Sequence, residues 1–215
     1  MRKPPKPIIC WVSDRTALRL PVGQSREAAL LAQIRDAVRA GIDWIQLREK
    51  DLETPSLADL ARNAVEASRN TKTRILINDR FDVAWTAGAD GVHLGETSLP
   101  IAEVTREARH ALGSDFLIGA SCHSLEGVVR AAREGADYVF FGPVFATPSK
   151  AAFGEPQGLA RLEAVCRAAP LPVLAIGGIT TKNAATCIGV GASGVAAIRL
   201  FQQSTDLPAL LAALR

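Results

Sequence analysis

The sequence has little excess charge of either sign. Lys and Arg number 25 against 22 Asp and Glu, a net of +3, and the basic residues are scattered rather than gathered into a stripe. A nucleic-acid partner is therefore not indicated. No run approaches ~18 uninterrupted apolar residues, so no membrane span is expected. The four cysteines, Cys10, Cys122, Cys166 and Cys187, form neither a C-x-x-C pair nor a metal-ligand spacing. That argues against a zinc site or a disulfide framework and for a reduced, cytoplasmic setting. No G-x-G-x-x-G follows the first apolar run, where "WVSDRTAL" stands instead, which counts against a doubly wound dinucleotide fold. The opening "MRKPPKPI" has no long apolar run before Trp11, and its prolines oppose a helical signal segment. Residues 1–7 are expected to form a flexible leader, with one domain over 8–215.

What is present is a large aliphatic complement. The 215 residues are 48% hydrophobic, 22% charged and only 5% aromatic, the balance of a globular chain long enough to bury a core without staples. Eight short apolar runs recur along it: "PIICWVSD", "IDWIQLRE", "TRILINDR", "ADGVHLGE", "FLIGASCH", "ADYVFFGP", "LPVLAIGG" and "ASGVAAIRL". Between them lie segments such as "SREAALLAQIRDAVRAG" and "SLEGVVRAAREG", whose Ala, Leu and Val return every three or four positions while Arg and Glu take the other face. That is the amphipathic helix period. Gly41, Gly113 and Gly135 stand as stop signals, and Ser124 and Pro100 as start signals. Strand and helix alternating with a period of roughly 27 residues predict a single-domain (β/α)8 TIM barrel; an open doubly wound sheet is the runner-up.

In such a barrel the polar residues at the strand ends meet on one rim, where active sites are built. The second run ends in "REKD", two cations and two anions at Arg48 to Asp51. Such a cluster serves either as a solvated turn or as part of the rim. The rim would further hold Asp14, Gln46, Asn78, Asp79, His93, Glu96, Ser121, His123, Thr147, Ser149, Lys150, Gly177, Gly178 and Arg199. Cations, amides, hydroxyls and glycine backbone together suit phosphate recognition. The paired Gly177 and Gly178 follow the seventh run, where these barrels commonly bind phosphate, although a steric reason for the glycines is also open. The segment "GPVFATPSKAAFGEPQG" is long enough to be either a functional loop or a mobile one.

The ordered motifs "QLREK", "LINDR", "ADGVHLGE", "IGASCHS", "FGPVFATPSK" and "AIGGI" resemble those of the thiamin phosphate synthase and TenI superfamily over nearly the whole chain. The resemblance implies a barrel enzyme of thiamin biosynthesis acting on small phosphorylated substrates, and a homodimer. In the synthases, hydroxymethylpyrimidine diphosphate loses pyrophosphate and the thiazole phosphate nitrogen captures the pyrimidine cation. The resemblance then assigns Arg48, Lys50, Asn78 and Lys150 to the pyrophosphate with a magnesium ion, and Ser121 to a hydrogen bond on it. Gln46 would orient the pyrimidine, Thr147, Ser149, Gly177 and Gly178 would bind the thiazole phosphate, and Asp79 would be a magnesium ligand.

Two positions depart from the synthase pattern. Ser98 stands where the second magnesium carboxylate is expected, with Glu96 two places before it, and Arg199 replaces a serine near the thiazole phosphate. Arg199 would either grip that phosphate or pair with a carboxylate. The TenI branch contains thiazole tautomerases, which need proton transfer and no magnesium. Their catalytic histidine falls at His123, a residue type that synthases also carry in this motif. A third class is a non-catalytic protein that binds thiazole phosphate. His93 is expected to be structural, and a nucleophilic role for Cys122 is disfavoured because adjacent strand residues face opposite ways.

Overall fold

Each apolar run forms a strand and each helix-period segment a helix, in a computed structural model that describes residues 6–18, 20, 22–147 and 155–215. The strands are β1 (Ile8–Val12), β2 (Trp44–Leu47), β3 (Arg74–Asn78), β4 (Gly91–Leu94), β5 (Leu117–Cys122), β6 (Tyr138–Phe141), β7 (Val173–Ile176) and β8 (Gly194–Ala197). All pair in parallel in sequence order, and β8 pairs back to β1, so the sheet closes into a barrel. The main helices outside it are α1 (Arg26–Arg39), α2 (Thr54–Ser68), α3 (Phe81–Ala87), α4 (Ile101–Ala111), α5 (Leu125–Arg133), α6 (Gly158–Ala168) and α7 (Ala184–Gly189); α8 (Arg199–Gln202) and α9 (Leu207–Ala213) follow β8. No helix among the described residues is long and apolar enough to cross a membrane.

Strand alternation sorts the core into two parts. Inside the barrel, Cys10, Val12, Leu76, Tyr138, Phe140, Leu174 and Ala196 pack together. The intervening residues, such as Ile9, Ile45, Ile77, Val92 and Val139, point outward against Leu30, Ile34, Leu60, Val104 and other helix residues. Burial on both faces explains why these strands read as continuous apolar runs.

Local signals set the helix ends. Ser124 accepts the backbone N–H of Gly127, capping α5 as expected, and Ser25 accepts that of Ala28, capping α1. The expected strand end at Arg199 lies two residues later than the observed one: β8 stops at Ala197, and Arg199 opens α8. Residues 1–5 of the expected leader lie outside the described residues, and Lys6 reaches Asp43 at 3.0 Å.

The end of the barrel remote from the rim is held by a repeated aspartate. Asp43, Asp90 and Asp137 each stand one residue before an even-numbered strand and accept the backbone N–H of the preceding odd strand, at Ile9 (3.0 Å), Ile75 (2.7 Å) and Ile118 (2.7 Å). Each ties two strands where the sheet begins, using an N–H that would otherwise lack a partner.

Candidate active site

The C-terminal ends of the strands carry the predicted rim. Gln46 on β2 is 2% exposed, and its side-chain Nε2 donates to Asn78 Oδ1 on β3 at 2.9 Å. The pair leaves Gln46 with a carbonyl oxygen and Asn78 with an amide N–H2 to offer a ligand.

The "REKD" run divides by partner. Glu49 is buried and accepts from the Ser13 hydroxyl at 2.5 Å and from the Arg15 N–H at 2.9 Å. Its burial raises the carboxyl pKa, against the lowering effect of those hydrogen bonds. Asp51 takes the Arg15 guanidinium at 2.8 Å, a hydrogen bond that holds its carboxyl below the usual range. Arg15 also binds Glu27 at 2.9 Å. Both anions of the run are thus committed to the end of β1. Arg48 and Lys50 have no carboxylate partner among the described residues. The Arg48 backbone N–H donates to Ser13 Oγ at 3.0 Å, so the Glu49 network also holds the main chain beneath the Arg48 side chain. Neither Ser13 nor Arg15 was a candidate from sequence; the run of alternating charges was the available signal, but it does not say which members face inward.

Asp79 follows β3 with a left-handed backbone, φ +69°, and its N–H donates to the His93 carbonyl at 2.8 Å. Ser98 Oγ donates to Asp79 Oδ1 and accepts from the Gly95 N–H at 2.6 Å. The serine that replaces the expected carboxylate therefore touches the remaining one. Glu96 does not supply the missing charge there: its Oε1 lies 4.0 Å from His123 Nε2. The His123 Nδ1 bonds the Gly142 carbonyl, which leaves Nε2 as the ring atom available for chemistry. Among the described residues no group of three His, Cys, Asp or Glu is placed to hold a metal.

His93 is buried at the barrel centre, with Nε2 2.9 Å from Ser121 Oγ and Nδ1 3.1 Å from the Tyr138 hydroxyl. Burial, and then the charge of Arg48, lower its pKa from 6.5 to about 3, so the ring is neutral near pH 7. Cys122 is buried and its thiol is pushed up to about 12, chiefly by burial, which removes it as a nucleophile.

Gly177 and Gly178 turn after β7 with φ of +94° and +67°. A Cβ on Gly178 would lie 2.7 Å from both the Ala146 carbonyl oxygen and Phe145 Cβ, and one on Gly177 would lie 2.5 Å from Pro143 Cβ. The glycines thus let the chain after β6 lie directly against this turn, where Val144 and Phe145 donate to Ile176 and Gly177 carbonyls at 2.9 and 3.0 Å. Arg199 donates to Thr147 Oγ1 at 2.9 Å and has no carboxylate partner among the described residues. Gly177, Gly178, Thr147 and Arg199 therefore converge. Ser149 and Lys150 lie outside the described residues.

Comparison with known proteins finds similarity over most of the chain. Residues 20–201 match the family model described as "Thiamine monophosphate synthase". A thiamine-phosphate synthase of Methanoculleus marisnigri is 44% identical over 204 residues, covering 95% of this chain and 92% of that protein. One from Roseiflexus castenholzii is 39% identical over 191 residues, covering 89% and 79%. Among solved structures, a thiamine phosphate pyrophosphorylase from Pyrococcus furiosus superposes with a TM-score of 0.82 at 30% identity, over 97% of this chain and 93% of that one.

Proposed function

The chain belongs to the thiamine monophosphate synthase family, and from that premise we propose that it is the transferase that joins hydroxymethylpyrimidine diphosphate to thiazole phosphate with release of pyrophosphate. The observation that carries this reading is the unspent charge of "REKD". Glu49 and Asp51 are bound to Ser13 and Arg15, while Arg48 and Lys50 keep their charges for a ligand at the mouth. A departing pyrophosphate is the anion that such charges would stabilise.

The bond between the pyrimidine methylene carbon and the bridging oxygen breaks with its electron pair going to the pyrophosphate. The resulting carbocation takes the lone pair of the thiazole nitrogen. Little acid or base chemistry is needed, so catalysis falls to preorganised donors and cations. Gln46, its amide N–H held by Asn78, presents a carbonyl oxygen suited to the pyrimidine amine. Asn78, Ser121, Arg48, Lys50 and Lys150 offer donors to the pyrophosphate. Thr147 and Arg199, which touch each other, offer donors to the thiazole phosphate with Ser149, Gly177 and Gly178.

Magnesium fits this donor set as a companion of the pyrophosphate. Asp79 provides one carboxylate, Ser98 engages one of its oxygens, and the ion ordinarily takes one or two carboxylates with phosphate and water completing its shell. When bound, it would neutralise charge on the leaving group.

The test is formation of thiamin phosphate from the two substrates, with and without magnesium, by the wild type and by Ser98→Asp. Magnesium-dependent product from the wild type is expected. Its absence from folded protein in both forms overturns the reading. Ser98→Asp is expected to bind manganese roughly tenfold tighter without pyrophosphate, because affinity follows ligand charge; a manganese titration followed by electron paramagnetic resonance measures this.

One observation favours a second reading, thiazole tautomerisation: His123 is anchored through Nδ1 and turns Nε2 toward Glu96. Under it, the protein would aromatise carboxythiazole phosphate without magnesium, and His123→Ala would abolish that turnover while sparing coupling.

A further inference from the structure

Tyr138 is the single tyrosine of the chain and lies 1% exposed inside the barrel. Among the described residues its hydroxyl has one hydrogen-bonding partner, His93 Nδ1, at 3.1 Å. The opposite ring nitrogen of His93 lies 2.9 Å from Ser121 Oγ. Side chains from β6, β4 and β5 thus form a line that starts in the closed interior and ends on a partly exposed hydroxyl at the mouth. The line is built for close contact. A Cβ on Gly119 would lie 2.1 Å from Tyr138 Cζ and 2.6 Å from His93 Nδ1, so only glycine admits both rings. Trp44 and Phe140 flank them, with ring centroids 4.7 Å from Tyr138 and 4.1 Å from His93.

Distances alone allow the protons to run in either direction. If His93 carried its proton on Nδ1, it would donate to the phenol oxygen and leave the buried Tyr138 proton with no acceptor. Ser121 would then turn its own proton inward, onto Nε2. An imidazolium would donate at both ends and strand the same phenol proton. A buried donor left unmatched is unfavourable, because it has given up its water partner and gained none. The reverse direction satisfies every proton: Tyr138 O–H donates to Nδ1, and Nε2–H donates to Ser121 Oγ.

We propose that Tyr138 and His93 are positioning residues that aim the Ser121 hydroxyl. With Ser121 Oγ accepting from His93, its proton is the one left to donate, and it points into the mouth as a donor to a phosphate oxygen of the substrate. A hydroxyl is otherwise a free rotor that can face a phosphate with lone pairs. Set in advance as a donor, it needs no reorientation when charge develops on the leaving group, and accepting one bond strengthens the one it gives. The activity part of this proposal rests on the coupling reaction proposed above; the proton arrangement does not.

Nitrogen-15 NMR of histidine-labelled protein tests the arrangement, with signals assigned by their loss in His110→Gln and His123→Gln. A His93 carrying its proton on Nε2, with Nδ1 bare, over about pH 6 to 8 is expected. A proton on Nδ1 overturns the proposal whether or not the protein couples the two substrates. Kinetics then test the consequence. Tyr138→Phe keeps the ring and removes the donor, so His93 should become a mixture of tautomers, and kcat should fall roughly tenfold with little change in KM for thiazole phosphate. Tyr138→Phe added to Ser121→Ala should cost no more than Ser121→Ala alone, because the residue acts only through that hydroxyl. An undiminished tenfold loss on the Ser121→Ala background would assign Tyr138 a merely structural role and overturn the proposal. Should Tyr138→Phe fail to fold, the wild-type spectrum still decides it.

Discussion

Ser98 shows how one side chain reshapes a site without removing it. Its hydroxyl donates to Asp79 and accepts the Gly95 N–H, so the group beside that carboxylate is a neutral donor rather than a second negative charge. Arg48 is the complementary case, a cation with no anion committed to it among the described residues. Arg48→Ala should therefore leave thermal unfolding nearly unchanged and lower kcat by roughly 10²–10³-fold, the cost of losing one preorganised charge; parallel melting and coupling assays check both halves. His93 makes a prediction about pH. Its folded pKa, about 3, lies below its ordinary 6.5, so as pH falls below 6.5 the unfolded chain takes up a proton that the folded one refuses. Stability should drop as pH falls through that window toward about 3, by at most about 1.4 kcal/mol per pH unit from this residue. Urea unfolding between about pH 6.5 and 5, above the carboxylate range, should show a shallower decline in His93→Gln than in the wild type. Gln46, Asn78 and Arg48 were legible as rim residues from their places at the ends of apolar runs. The burial of Glu49 was not, because neighbouring charged residues look alike in sequence until the fold brings Ser13 and Arg15 against one of them.

Among elements, the contact between the turn after β7 and the chain after β6 does most to shape the site. Gly178 has φ +67° and backbone and side-chain atoms 2.7 Å from where a Cβ would stand. The paired glycines were read as open to a phosphate or as steric, and the steric requirement is present here. It brings Thr147 within reach of Arg199. Gly178→Ala should destabilise the fold by about 1–3 kcal/mol through backbone strain and raise KM for thiazole phosphate more than KM for the pyrimidine substrate. Chemical unfolding and steady-state kinetics distinguish this from a loss of stability alone, which would leave both KM values unchanged in the folded fraction. The helices with a clear apolar period, such as α1 and α5, were legible, since period and cap signals agreed. The end of β8 was missed by two residues because Ile198, Arg199 and Leu200 continue the strand's apolar character into α8.

For the whole molecule, the barrel separates stability from function by its two ends. The repeated aspartates before β2, β4 and β6 clasp the strand starts, and Asp137 also binds Arg109 at 2.6 Å. Asp137→Ala should cost about 1–3 kcal/mol by leaving the Ile118 N–H without its acceptor, yet keep kcat/KM within about twofold because the site lies at the opposite end; unfolding curves and coupling rates measure the two effects. By itself the sequence determined the element order, the eightfold alternation and the residue types at the rim, because period and strand-end position are local properties carried by neighbours in the chain. Only the tertiary structure decided how the charges pair. It joined Glu49 to Ser13, His93 to Tyr138 and Ser121, Ser98 to Asp79, and Arg199 to Thr147. These partners lie 19 to 52 residues apart, and the physical reason they meet is closure of the sheet, which brings every strand end onto one ring.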